Sequence, residues 1–181
     1  GGGVAVDAST DTVYATSQNN NTVSVLNGAT CNASNTSGCT RFAPTTTVGK
    51  LPQPIAVNPA TDTVYVGNSV NNTVSVINSA ACNANHRAEC DRVWPTIKVG
   101  ASPLFGLAID QHADTLYVTN AADNTVSVIN TATCNAHTSS GCGQSPPTIA
   151  VGNGPAGVAI DQHTRTVYVA NNGDNTVSVI N

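Results

Sequence analysis

At 181 residues, with 9% charged side chains and a formal net charge of −4, the chain is long enough to bury the core of one ordinary domain and too poor in cations to coat a nucleic acid. Its six Lys and Arg are scattered, and no apolar run approaches the roughly 20 residues that cross a bilayer as a helix, so a nucleic-acid partner and a membrane span are both excluded at this level. What remains is a folded, mostly β chain, because short clusters of Val, Ile and Leu alternate with Asn, Thr, Ser and Gly.

In chain order, the first element is a set of short strands around Val4-Ala5-Val6, Thr12-Val13-Tyr14 and the heptad Asn-Thr-Val-Ser-Val-Leu-Asn at 21–27. The same markers return: Thr63-Val64-Tyr65, Thr115-Leu116-Tyr117 and Thr166-Val167-Tyr168 are spaced by 51 or 52 residues, and the heptad recurs at 72–78, 124–130 and 175–181. This self-similarity divides the chain into repeat 1 (1–49), repeat 2 (50–100), repeat 3 (101–152) and repeat 4 (153–181), parts of one domain. Repeat 3 shows the content of one period, with apolar runs at Gly106 to Ile109, Leu116 to Val118, Val126 to Ile129 and Thr148 to Val151, separated by Asn/Asp/Gly turn chemistry. The period leaves no room for a helix. Four antiparallel strands per period of about 51 residues predict an all-β propeller, with repeats as blades and the fourth blade lacking its outer strand.

Tyr117-Val118-Thr119-Asn120, with the variants Tyr65-Val66-Gly67-Asn68 and Tyr168-Val169-Ala170-Asn171 and the looser Tyr14-Ala15-Thr16-Ser17, resembles the signature of the YVTN-type β-propeller repeats. The flanking Pro-x-Gly-Val-Ala-Ile-Asp at 155–161 is similar to that family as well. The resemblance implies the propeller fold and an exported or surface habitat, and no particular activity.

The family pattern is departed from where two cysteines frame each connection between third and fourth strands: Cys31 and Cys39, Cys82 and Cys90, Cys134 and Cys142. Identical local spacing in three copies predicts pairing within each copy, since equivalent points on neighbouring blades lie beyond disulfide reach. A bridge across so short a loop contributes about 2.5 kcal/mol by the chain-entropy estimate, and it points to an oxidising compartment, extracellular or cell-surface. His86 and His137 lie inside two of these segments, but their spacing is wrong for zinc and the first segment has no His, so no metal or other cofactor is expected.

At the opposite end of the strands, Asn20, Asn71, Asn72, Asp123, Asn124, Asp174 and Asn175 form polar turns, a candidate face for a cation or sugar whose plainer role is to supply hairpin geometry. Asp110-Gln111-His112 and Asp161-Gln162-His163 pair a His with a carboxylate, yet they recur as surface turns expected to point apart around the ring. Asn20, Asn32, Asn35 and Asn71 head Asn-x-Ser/Thr triplets, acceptors for glycosylation in a eukaryotic source.

These features predict a noncatalytic extracellular scaffold that contacts a protein or glycan, or further copies or blades of the same array. The alternative is a fragment of a lactonase- or hydrolase-type propeller whose active site lies elsewhere. Because repeat 4 stops after its third strand and Gly1-Gly2-Gly3 opens in mid-pattern, the chain is expected to be a processed or truncated piece of a ring of six to eight blades, or to complete one with a second copy.

Overall fold

The computed structural model describes residues 2–39 and 43–181. Four antiparallel sheets follow one another along the chain. The first contains β1 (Val4–Asp7), β2 (Thr12–Ser17), β3 (Thr22–Asn27) and β4 (Thr45–Thr47). The second contains β5 (Pro52–Asn58), β6 (Thr63–Asn68), β7 (Thr73–Asn78) and β8 (Thr96–Lys98). The third contains β9 (Leu107–Asp110), β10 (Thr115–Asn120), β11 (Thr125–Asn130) and β12 (Thr148–Ala150), and the last has three strands, β13 (Pro155–Asp161), β14 (Thr166–Asn171) and β15 (Thr176–Ile180). Each sheet is a meander in sequence order, and the first strand of each sheet lies against the next sheet's first strand.

Two local features depart from the sequence reading. Asn58 caps a turn of 3-10 helix, Pro59–Thr61, where no helix was expected: its side chain accepts from the Ala60 N–H, and Pro59 fits the first helical position because it has no N–H to satisfy. Strands β5 and β13 also begin three residues before the apolar runs at Ile55 and Val158, because a bulge lets Pro52 pair with Asn68 and Pro155 with Asn171.

Alternation along the strands builds the core between sheets rather than within one. Tyr14, Val23 and Val25 of repeat 1 pack with Val64, Val66 and Ile77 of repeat 2. Tyr65, Val74 and Val76 on the other face of repeat 2 pack with Leu116, Val118 and Ile129 of repeat 3. Val126 then meets Val167 and Val169 of repeat 4. Successive side chains of a strand point to opposite faces, so Tyr65 faces forward while Val64 and Val66 face backward, and all three are completely buried. Each such side chain contributes about 1.5–3 kcal/mol, so a repeat is stabilised chiefly by its neighbours.

Candidate functional site

The two ends of the sheets carry the residues singled out above. At one end the cysteines close three disulfides, Cys31–Cys39, Cys82–Cys90 and Cys134–Cys142, with Cα separations of 4.8, 4.8 and 4.9 Å. The bridges are only part of what orders these loops. Asn27, Asn78 and Asn130, ending the third strands, each accept with Oδ1 from the N–H two residues on, at 2.9 Å in all three copies. The Asn after each first cysteine, Asn32, Asn83 and Asn135, accepts from the two following turn N–H groups and donates its amide back to the loop start. The loop is thus a folded unit of Asx turns, which the spacing of cysteines alone did not reveal.

The second and third loops also reach back to the preceding repeat. The Tyr14 hydroxyl donates to the Cys82 carbonyl at 2.8 Å, and Tyr65 donates to the Cys134 carbonyl at 2.7 Å. The Ala84 and Ala136 N–H groups donate to the hydroxyls of Thr12 and Thr63, both at 2.9 Å. Trp94, just beyond the second loop, is buried and donates its indole N–H to Thr46 of repeat 1. His137 lies 3.3 Å from Asp62 across the same kind of junction. Cys82, Cys90, Cys134 and Cys142 are consequently buried, whereas Cys31 is half-buried and Cys39 exposed.

Burial pushes the Tyr14 and Tyr65 hydroxyls well above their ordinary value of 10.0, with Asp7 adding to the effect at Tyr14 and Asp114 at Tyr65. A phenol that must keep its proton when folded favours the native state fully below pH 10, and that advantage is lost as pH rises above the unfolded value. Between pH 9 and pH 11 the unfolding free energy is therefore expected to fall by on the order of 2 kcal/mol. Chemical denaturation at the two pH values checks this; equal midpoints would show that the two hydroxyls ionise freely in the native state.

At the other end, the Asn and Asp turns are latches. Asn21, Asn72 and Asn124 adopt left-handed backbone with φ of 57°, 55° and 54°, and their Oδ1 atoms accept from the N–H of Leu51, Ser102 and Gly154 in the next repeat at 3.0, 3.0 and 2.9 Å. Asn71 accepts from the Lys50 N–H, and Asp123 and Asp174 accept from Ala101 and Asn153, both at 2.6 Å. Asn20 and Asn175 are exposed. A further Asn, the last residue of three of the four YVTN-like stretches, was not singled out from the sequence: Asn68, Asn120 and Asn171 are buried and donate to paired hydroxyls, Thr73 and Ser75, Thr125 and Ser127, Thr176 and Ser178. The regular return of Ser two residues after Thr in every heptad was the available signal.

The two Asp-Gln-His turns meet rather than point apart. Gln162 donates to the Ile109 carbonyl at 3.1 Å, and its Oε1 lies 3.3 Å from Nδ1 of His112. Asp110 and Asp161 serve as turn acceptors for the N–H groups two and three residues on, and the hydroxyl and N–H bonds from Thr164, with the His163 N–H, hold the Asp161 carboxyl below its ordinary value. Among the glycosylation triplets, the Asn32 amide nitrogen donates to the Gly28 carbonyl at 2.7 Å and the Asn35 amide to Ala29 at 3.4 Å.

Among the described residues, no three His, Cys, Asp or Glu side chains gather as a metal would require. With the turn oxygens already accepting backbone N–H bonds, a chelator is expected to leave the thermal midpoint unchanged; a drop of several degrees would identify ligands among them. Among the described residues, the outer rim of repeat 2 gathers groups that repeat 3 lacks: Glu89 pairs with Arg92 at 2.6 Å, Arg92 stands 5.7 Å over the Trp94 ring, and Val93 is 96% exposed. Beside them runs an open groove of about 490 Å³, lined by Thr47, Thr73, Ser75, Arg92, Val93 and Trp94.

Among the described residues no helix is long and apolar enough to cross a membrane. No family model matches the chain, and no curated protein matches it. Solved structures do. A chain of the hydrazine synthase of Kuenenia stuttgartiensis is 20% identical, with a TM-score of 0.74 over 98% of this chain and 45% of that one. A chain of a nidogen/laminin complex is 16% identical, with a TM-score of 0.68 over 99% and 58%, and a streptogramin B lyase is 12% identical, with a TM-score of 0.66 over 98% and 50%. The chain spans about half the length of the solved structures it matches. These neighbours are propeller-like, and the succession of four antiparallel sheets packed face to face is consistent with a β-propeller.

Proposed function

We propose that the chain is a run of YVTN-type β-propeller blades of about 51 residues, exported to the cell surface or beyond, and that it acts as a noncatalytic scaffold for a protein or glycan partner. Three disulfides suit an oxidising compartment, where such bonds persist. The observation that carries the noncatalytic reading is the use made of the polar groups. The turn carboxylates and amides that would supply acid, base or ligand accept bonds from backbone N–H groups, and the inner runs Val4-Ala5-Val6, Ile55-Ala56-Val57, Leu107-Ala108-Ile109 and Val158-Ala159-Ile160 carry no titratable side chain.

Among the described residues, recognition chemistry gathers instead on the rim of repeat 2, where an aromatic ring, a guanidinium and a row of hydroxyls flank an open groove. A lyase and a synthase among the structural neighbours, at 12% and 20% identity, bear on fold alone. The test is a glycan array and a panel of extracellular proteins, run beside lactone and ester turnover assays. Binding weakened about tenfold or more by Arg92→Glu with Val93→Asp, without turnover, is expected. Turnover above a heat-denatured control would overturn the noncatalytic reading.

A further inference from the structure

The short outer strand β4 has an open edge beside the rim groove, whose walls both belong to repeats 1 and 2. Val25 donates its N–H to the Pro44 carbonyl at 2.8 Å, and Val48 donates to the Asn21 carbonyl at 3.0 Å. Pro44, Thr46 and Val48 therefore face β3, and the N–H and C=O of Thr45 and Thr47 turn outward, unpaired among the described residues. Thr46 is fully buried and its hydroxyl accepts from Trp94 of repeat 2, so its side chain points forward and that of Thr47 points backward. Thr47 nevertheless lines the forward groove of about 490 Å³, and what it offers there is backbone. The facing wall supplies charge. Thr73, Ser75, Thr96 and Lys98 are cross-strand partners on one face of β7 and β8, and the first three line the groove. Lys98 is exposed, as is Lys50, which follows Gly49 on the opposite wall, and neither lysine has an ion-pair partner among the described residues. Asp91 is the acid lining the groove, next to Arg92, which Glu89 already pairs at 2.6 Å. The equivalent groove between repeats 2 and 3 is about 200 Å³, and its facing row, Thr125, Ser127, Thr148 and Ala150, carries no charge.

We infer that the groove between repeats 1 and 2 takes an extended acidic peptide segment of a protein partner, laid beside β4 as a further strand, with the Thr47 N–H and C=O paired to its backbone and a carboxylate side chain directed to Lys98. A strand edge recognises a chain of peptide groups, which a saccharide does not have. Alternate side chains of the added strand then meet the row of hydroxyls and lysine on β7 and β8, and the exposed Val93 gives an apolar contact at the end of the groove. The inference rests on the scaffold reading of the rim and narrows its partner from protein or glycan to protein.

The probe is a phage-displayed library of random peptides of about ten residues, selected on the 181-residue chain, with the enriched peptides synthesised and titrated by fluorescence anisotropy. The expected result is a consensus rich in Asp or Glu whose affinity falls about tenfold or more in Lys98→Glu and in Thr47→Pro. Methylating the peptide nitrogens one at a time is expected to find a position that costs as much, a loss that side-chain contacts alone would not produce. Proline at an outward-facing edge position removes only an unpaired N–H, and circular dichroism confirms that both variants are folded. The methylated peptides make the same test on the unaltered chain. No enrichment, a neutral or basic consensus, or affinities indifferent to methylation and to Lys98→Glu would overturn the inference. A glycan bound at the rim with no peptide enriched would overturn it as well and leave the scaffold reading standing, whereas turnover in the lactone and ester assays bears on that reading alone.

Discussion

Replacing Cys82 and Cys90 together by alanine is expected to lower the unfolding free energy by about 3–5 kcal/mol, measured by urea denaturation of the dilute single chain. Closing the loop accounts for about 2.5 kcal/mol of this by the chain-entropy estimate for a separation of 8 residues. The rest comes from what the loop does once closed. It offers the Cys82 carbonyl to Tyr14 and the Ala84 N–H to Thr12, bonds each contributing about 0.5–1.5 kcal/mol, and it buries both sulfurs against repeat 1. The corresponding change at Cys31 and Cys39, whose loop meets no preceding sheet within the chain, is expected to cost only the closure term. Coupling separates this account from a purely local one. Tyr14→Phe should be clearly destabilising in the intact protein and nearly silent once Cys82 and Cys90 are gone, because the carbonyl it needs is no longer held in place. Equal costs at the two loops, or strict additivity with Tyr14→Phe, would falsify the clamp.

The sheets were legible because their signals are local. Period-two alternation in Thr-Val-Ser-Val-Ile-Asn, turn residues on either side and a repeat of 51 or 52 residues need no knowledge of neighbours, and cysteine spacing determined the bridges for the same reason. What escaped was everything that happens between repeats. In the sequence Tyr14 is only a marker of the repeat, and its hydrogen bond to a carbonyl 68 residues on shows that it holds a loop. The Asn and Asp turns read first as hairpin chemistry, with a ligand face as the alternative, because a left-handed Asn and a ligating Asn look alike in sequence; their acceptor bonds to Leu51, Ser102 and Gly154 lie about 30 residues away. The bulges at Pro52 and Pro155 were missed because a proline that opens a strand at a bulge is followed by residues out of the regular alternation, which leaves no period-two signal before Ile55 and Val158. Trp94 departs from the pattern of the other repeats, but the sequence did not say that its indole would lie on the outer strand of repeat 1.

Gly106→Ala is expected to cost about 2–4 kcal/mol, while the same change at the equivalent Gly157 leaves the dilute chain as stable as before. Neither glycine has the left-handed backbone that would by itself demand it, so the difference is one of space. Gly106 donates its N–H to the Thr119 hydroxyl at 3.0 Å, and that hydroxyl donates in turn to the Ala156 carbonyl of repeat 4 at 2.9 Å. A methyl group at residue 106 would stand 2.7 Å from the hydroxyl oxygen and closer still to the Ala156 carbonyl, so either the inter-repeat bond breaks or the two inner strands separate. At Gly157 an added methyl meets nothing within 4 Å. Gly157→Ala should therefore leave the urea midpoint unchanged or slightly raised. Equal losses of stability at the two glycines would show that the Thr119 bond to the Ala156 carbonyl does not hold repeats 3 and 4 together.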